Sequence, residues 1–361
     1  MSGKNLISIA LLLLLISCAS RKELIVNYSN PQIKYSGRID TTTMKAAGLF
    51  WSGTSIEANF KGRSIAALLD DTEGDNYYDI IIDGGSPTIF RPDTLKQYYT
   101  LASGLSGGKH SIEIFKRTEW TRGSSRFYGF KIKGHPDLIP RPASEKRKIE
   151  FYGNSITAGY AVEDFSGKDR PDSTFTNNYL SYAAITARHF NAAYRCICRS
   201  GIGIMVSWYP QIMPELYYRL NPNDENSHWD FSNYTPDIVV INLFQNDSWI
   251  VNMPNNEQFK RRFGDESPDD PFIIKSYENF VRAIRKVYPN ASIICMLGNM
   301  DITKTGSKWP GYVKQAVANL NDPKIYTLIV PFKNTNGHPS IAEQQELANS
   351  LIRFIDDNIK W

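Results

Sequence analysis

The chain predicts a β sandwich followed by an open parallel α/β sheet. Three observations carry that expectation. Over the first third, short alternating or β-rich segments are separated by glycine- and aspartate-bearing turns. Over the last two thirds, β-like runs alternate with helical ones, the pattern of a parallel sheet covered on both faces. Between the two lies a polar stretch that contains Pro136, Pro140 and Pro142, which resist regular pairing.

Residues 1–17 carry one lysine, Lys4, and an unbroken apolar run from Leu11 to Ile16, too short to span a bilayer and shaped like an export signal. Its end, Leu15-Ile16-Ser17-Cys18, resembles the lipobox of bacterial lipoproteins, in which the cysteine becomes the lipidated first residue. The resemblance implies an exported protein held to a membrane through lipid on Cys18, with residues 18–27 as a tether. Removing 1–17 takes away only Lys4, so the formal charge of +4 becomes +3, and no basic block is interleaved with a nucleic-acid-binding motif. Nucleic acid is therefore not an expected partner.

The β sandwich is expected over 28–134, with strands at Ile56–Phe60, Ile65–Leu69, Tyr77–Ile82, Ser111–Lys116 and Phe127–Ile132. Residues 135–147 read as a linker. The α/β unit follows over 148–361, with strands at Ile149–Tyr152, Tyr194–Cys198, Ile238–Phe244, Ser292–Leu297 and Ile325–Val330. Helices are expected at Tyr179–Phe190, Phe272–Val287, Val313–Leu320 and Ile341–Ile359. In the last of these, Leu347, Leu351, Phe354, Ile355 and Ile359 recur at helical spacing, and Ser340 and Glu343 have the spacing of a capping box. Cys196, Cys198 and Cys295 read as buried thiols, with one bond to Cys295 left open, and no Cys/His cluster has zinc spacing. Neither a metal nor another cofactor is implied.

Parallel sheets bind ligands beyond the carboxyl ends of their strands. Four turns meet that condition here. The first strand runs into Gly153-Asn154-Ser155, which presents Ser155 as a candidate nucleophile. The second is followed by Ser200-Gly201-Ile202-Gly203 and the third by Gln245-Asn246-Asp247, which offer backbone and side-chain N–H groups to a developing oxyanion beside that of Ser155 itself. After the last strand comes His338, just before the cap of the final helix, where the positive helix end favours a neutral imidazole base. Among the other histidines, His110 and His135 belong to the sandwich and linker and His189 to a helix, while His228 sits in a polar loop and is a candidate substrate contact. Trp208, Tyr209 and Trp249 lie near these blocks and are candidates for stacking against the rings of a substrate unless they pack into the core, with Trp208 and Trp249 the substrate-binding candidates among them.

Ser155 in G-N-S-I-T, Gly203 in S-G-I-G, Asn246 in Q-N-D and His338 in G-H-P resemble the four ordered blocks of the SGNH, or GDSL-like, hydrolases. The sandwich, with Gly37-Arg38, Trp51-Ser52-Gly53, Ile81-Ile82-Asp83-Gly84, Gly108-Lys109-His110 and Phe115-Lys116-Arg117-Thr118-Glu119, is similar to the N-terminal jelly roll of carbohydrate esterase family two. The resemblance implies a three-layer, flavodoxin-like α/β/α domain preceded by a jelly roll. It further implies removal of acetyl groups from polysaccharides such as xylan and glucomannan, with Ser155 as nucleophile, His338 as base, and Ser155, Gly203 and Asn246 around the oxyanion.

Three positions depart from the family pattern. Asn154 stands for the usual aspartate and keeps a hydrogen-bonding side chain, so activity is expected to survive; Phe244 replaces a glycine of the third block. Thr335 replaces the aspartate three residues before the histidine, so the expected arrangement is a Ser155–His338 dyad with a backbone carbonyl or Asn336 orienting the ring, or a distant acid such as Asp247 folding in. Two other readings compete with polysaccharide deacetylation. One is a carbohydrate-binding lipoprotein whose esterase site has decayed, and the other an esterase or thioesterase for lipid-like acyl groups.

Overall fold

The computed structural model describes residues 23–42 and 45–361; Cys18 and residues 1–17, on which the export-signal and lipid-anchor expectations fall, lie outside them. The first part is a sandwich of two six-stranded antiparallel sheets. One places Ile39–Asp40, Ala47–Leu49, Ser125–Lys133, Ser64–Asp71 and Gln97–Ser103 side by side, with Glu23–Asn27 paired to Ser125–Lys133. The other orders Asp137–Leu138, Ser55–Lys61, Lys109–Lys116, Tyr78–Ile82 and Thr88–Phe90, with Lys34–Ser36 paired to Ser55–Lys61. Strand alternation sends Ile56, Ala58, Phe60, Ile112 and Ile114 inward, where they meet Leu69, Phe127 and Phe130 of the facing sheet.

Two expected boundaries shift. Residues Glu23–Asn27, read as part of a tether, form a strand, because Val26 is apolar enough to be buried and the edge of Ser125–Lys133 offers free backbone partners. Within the stretch read as a linker, Asp137–Leu138 pairs with Lys61 and Phe60, and Arg147 already begins the first strand of the parallel sheet.

That sheet has five parallel strands in the order Ala192–Cys198, Arg147–Gly153, Ile238–Asn242, Ser292–Leu297 and Ile325–Ile329. Alternate residues feed two cores. Tyr152, Ile197, Val239, Ile241 and Cys295 pack beneath the helices Asp270–Val287 and Trp309–Leu320, while Phe151, Cys196, Val240, Ile294 and Met296 pack beneath Tyr182–His189 and Ile341–Asn358. The final helix starts with the expected capping box between Ser340 and Glu343. The third strand stops at Asn242, short of the expected Phe244, because Phe244 takes a left-handed φ of 81° that a strand cannot hold. Cys196, Cys198 and Cys295 are free, buried thiols.

The strand order reverses between Arg147–Gly153 and Ile238–Asn242, so a ligand crevice is expected at their carboxyl ends. The sandwich docks against this α/β unit through polar groups as well as rings. Arg38 is buried against the parallel sheet, with Nη2 3.0 Å from Glu150 Oε1 and Nη1 donating to the carbonyls of Tyr217 (2.5 Å) and Arg219 (3.0 Å). Tyr152 and Tyr288 give their hydroxyl protons to the same Glu150 carboxylate. Removing one partner from such a pair strands a buried charge. Arg38→Met is therefore expected to cost about 3–5 kcal/mol in denaturant unfolding, and the double variant with Glu150→Gln less than the sum of the single changes.

Candidate active site

The chain leaves the first strand at Gly153 and enters one short helical turn, Ser155–Ala158, whose cap is Asn154: its side-chain oxygen accepts the Ile156 N–H at 3.0 Å. An aspartate is not needed for that bond, and the Asn154 substitution leaves it intact. Ser155 Oγ lies 2.8 Å from His338 Nε2. The second ring nitrogen, Nδ1, lies 2.8 Å from Asp169 Oδ2, and the His338 backbone N–H also donates to both oxygens of that carboxylate at 3.0 Å. A carboxylate on Nδ1 assigns the proton there, which leaves Nε2 as the acceptor for the serine hydroxyl. The edge of the ring is packed by Tyr160, 4.9 Å between centroids.

The dyad expected from Thr335 is thus corrected: serine, histidine and aspartate are in line, with the acid supplied by the loop after Ser155 rather than by the loop before His338. Thr335 faces away, its hydroxyl between Lys333 and Glu343, and Asn336 gives its carbonyl to Lys333. Nor is Asp247 the orienting acid. It is buried under the second turn, where it accepts the N–H groups of Ile204, Met205 and Val206 at 2.7–3.1 Å. Burial pushes its carboxyl up to about 6 against the pull of those amides. Partial burial also raises the Asp169 carboxyl, but the side-chain and backbone hydrogen bonds of His338, with the charges of His338 and Lys333, bring it below its ordinary value.

The glycines of the second block exchange roles. Gly203 donates its N–H to Ser207 Oγ at 2.9 Å and is therefore not a free donor. A Cβ there would sit 2.0 Å from the Val206 carbonyl oxygen and 2.5 Å from Asp247 Oδ2, so this glycine serves the tight wrap around Asp247. Gly201, at φ 83°, turns the chain just beyond the second strand, and its N–H and that of Ser155 have no hydrogen-bond partner among the described residues. Asn246 is buried with Nδ2 donating to the Ile202 carbonyl at 2.8 Å, while the indole N–H of Trp208 donates to its Oδ1 at 3.1 Å. Those two bonds fix the amide's orientation and leave one Nδ2 hydrogen uncommitted.

Phe244 keeps the left-handed backbone that a glycine would provide and sends its ring into the core, against Tyr277 and Trp309. The main chain there is not displaced by the side chain. Trp208 is exposed on the rim beside Gly201 and Asn246. Trp249, by contrast, turns its indole N–H onto Asp301 Oδ2 at 2.9 Å and lines a hollow with Trp309 and Tyr312, not with Ser155 or His338. His228 is not brought to the site. It stacks on Tyr218, next to Trp229, which lies over Arg195 in the middle of the second strand. Tyr209 places its ring on the Arg199 guanidinium and its hydroxyl on the Ser200 carbonyl.

Sequence reasoning missed Asp169, Gly201 and Glu119, a sandwich residue whose carboxylate binds Ser200. Gly201 was visible as one of two glycines, and only the loop geometry tells which of them has a free N–H. Nothing local marks Asp169 among Asp164, Asp169 and Asp172 of its loop.

A parallel sheet between two helical layers, with a serine, a histidine and an aspartate in line at its switch point, defines a fold and site of the SGNH type. The chain belongs to carbohydrate esterase family two. The family description "Carbohydrate esterase 2 N-terminal" matches residues 35–142. A family two carbohydrate esterase from Clostridium thermocellum, solved in complex with cellohexaose, is 33% identical with a TM-score of 0.78, over 90% of this chain and 98% of that one. The cellulase/esterase CelE of Acetivibrio thermocellus is 34% identical over 92% of this chain, which spans only 40% of CelE's length. An acetylxylan esterase / glucomannan deacetylase of Cellvibrio japonicus is 24% identical over 92% of this chain and 90% of its own.

Because the folded-state carboxyl of Asp169 lies below its ordinary 3.8, its bonds to His338 contribute stability above that pH, and the contribution is lost as the pH falls through the folded value. Asp169→Asn should therefore lower the denaturation midpoint at neutral pH, with the gap to wild type closing below pH 3.8. Parallel pH series of urea melts read it.

Proposed function

We propose that the protein is a serine esterase that removes O-acetyl groups from polysaccharide of the xylan or glucomannan kind. The observation that carries this reading is the unbroken hydrogen-bond line from Ser155 through His338 to Asp169, beside uncommitted N–H groups of Ser155, Gly201 and Asn246. Ser155 Oγ attacks the acetyl carbonyl while His338 Nε2 takes its proton, and Asp169 stabilises the imidazolium. The carbonyl oxygen, now negative, receives the N–H groups of Ser155 and Gly201 and the Asn246 amide. Collapse expels the sugar oxygen, which takes the proton back from His338, and leaves acetyl-Ser155. Water, deprotonated by His338, then releases acetate and restores the serine.

The substrate class rests on family membership and on the names of the relatives, one an acetylxylan esterase / glucomannan deacetylase and another bound to cellohexaose. The exposed Trp208 beside the proposed oxyanion donors supports a sugar-facing rim. A decayed site is disfavoured, since the two departures that suggested it are compensated: Phe244 keeps the backbone and Asp169 supplies the acid. Wild-type protein should release acetate from acetylated xylan or glucomannan. Ser155→Ala should abolish release and Asp169→Asn lower kcat by about 10²–10⁴-fold; acetate release unaffected by Ser155→Ala would refute the reading.

We further propose export and anchoring through lipid on Cys18, on the strength of the apolar run and the Leu15-Ile16-Ser17-Cys18 sequence alone. The strand Glu23–Asn27 starts five residues after Cys18 in the sequence, and five residues of chain span at most about 18 Å. Expressed in a bacterium fed a clickable fatty acid, the wild-type chain should take up label and partition with membranes, and Cys18→Ala should do neither.

A further inference from the structure

We propose that Glu119, a residue of the β sandwich, is a positioning residue for the oxyanion-binding loop, so that the sandwich is part of the catalytic apparatus of the α/β domain. The inference rests on the esterase reading above and concerns the same site. Glu119 is buried at the start of the turn between the strands Lys109–Lys116 and Ser125–Lys133. Its two carboxylate oxygens hold one residue of the other domain: Oε2 accepts the Ser200 N–H and Oε1 the Ser200 hydroxyl, each at 2.5 Å. Ser200 immediately precedes Gly201.

The peptide plane makes that position matter. The Ser200 carbonyl and the Gly201 N–H belong to one rigid planar unit and point in opposite directions. The Tyr209 hydroxyl donates to the carbonyl end at 3.0 Å. With the N–H and hydroxyl of Ser200 clasped by Glu119 and its carbonyl capped by Tyr209, the Gly201 N–H has one direction left. At Gly201 a backbone with φ 83° would otherwise be free to rotate, because glycine imposes no steric preference of its own. An oxyanion donor is worth most when it does not have to reorganise during the reaction.

The neighbouring contacts are built to hold Glu119 still. Lys116 Nζ, fully buried, donates to the carbonyls of Thr118 (2.9 Å) and Glu119 (3.4 Å) and to Asn76 Oδ1 (2.6 Å). The Arg199 guanidinium lies 4.8 Å from the Trp120 ring centroid and 3.2 Å from that of Tyr209. Residues 119 and 120 of the sandwich thereby engage the consecutive loop residues 200 and 199. A purely structural clasp would be satisfied by any contact that joined the domains; this one terminates on the peptide before a free N–H.

The test compares wild type, Glu119→Gln and Glu119→Ala for hydrolysis of an aryl acetate, binding of an alkyl boronic acid whose Ser155 adduct carries a tetrahedral oxyanion, and thermal unfolding. Losing the use of one oxyanion donor lowers kcat by about 10²–10³-fold, so Glu119→Ala should approach the lower figure with KM within about twofold. Glu119→Gln, which retains one acceptor, should fall between it and wild type. Boronate affinity should weaken in step with kcat. Folded Glu119→Ala with wild-type kcat, or with reduced kcat and unchanged boronate affinity, overturns the inference. If Glu119→Ala does not fold, Ser200→Ala, which breaks only the hydroxyl half of the clasp, decides: a several-fold loss of kcat at constant KM supports the inference and an unchanged kcat overturns it. A wild-type protein that hydrolyses no acetyl ester overturns the esterase reading and this inference with it, whereas an active wild type matched by its Glu119 variants overturns this inference alone.

Discussion

The buried contact between Arg38 and Glu150 is the constraint on which the arrangement of the two domains depends. Glu150 lies in the first strand of the parallel sheet, the strand that ends at the candidate nucleophile, and no solvent reaches either partner. A guanidinium and a carboxylate removed from water are tolerated only while they face each other and their remaining donors and acceptors are filled. Here carbonyls of Tyr217 and Arg219 and hydroxyls of Tyr152 and Tyr288 fill most of them, the Arg38 Nε–H being left without a partner among the described residues while the guanidinium lies over the rings of Trp229 and Phe231. Such a network accepts one relative placement of sandwich and sheet.

From that placement the other contacts across the seam follow. Arg117 of the sandwich reaches Glu163 and the Thr174 carbonyl, and its own carbonyl takes the Asn178 N–H. Arg122 donates to the Pro171 carbonyl. The segment between these anchors is the loop that carries Asp169. Glu119 meanwhile holds Ser200. The sandwich therefore touches both the acid side and the oxyanion side of the candidate site while supplying neither the serine nor the histidine. A serine at a strand end is positioned by its own turn, but an acid on a long loop and a donor on a glycine need support from outside the α/β sheet.

What the sequence made legible divides along the same line. Strand ends and caps are local, so Ser155, Asn246 and His338 stood out from glycine, asparagine and helix-start patterns, and the capping box of Ser340 and Glu343 gave the final helix its beginning. Asp169 was not legible, because its partner is remote in the chain and its loop contains several aspartates in polar company. The missing acid before His338 suggested a dyad; in the fold, a loop from the other side of the serine occupies that place. Gly203 and Gly201 look alike in the sequence, and the fold separates them by where their N–H groups point, which Ser207 decides for one of them. His228 and Trp249 satisfied a compositional expectation for a sugar cleft, yet ring stacking on Tyr218 and a hydrogen bond to Asp301 place them elsewhere. Glu23–Asn27 was hidden by the polar run Ser20-Arg21-Lys22-Glu23 at its start, although its apolar residues suit an edge strand.

The account stands most directly on the identity of the acylated atom. Protein quenched in acid during turnover of an acetylated polysaccharide, digested and mapped by mass spectrometry, should carry one acetyl group on the peptide containing Ser155, at the serine hydroxyl. Turnover without any acetylated peptide, or with the acetyl group on another residue, would contradict the mechanism.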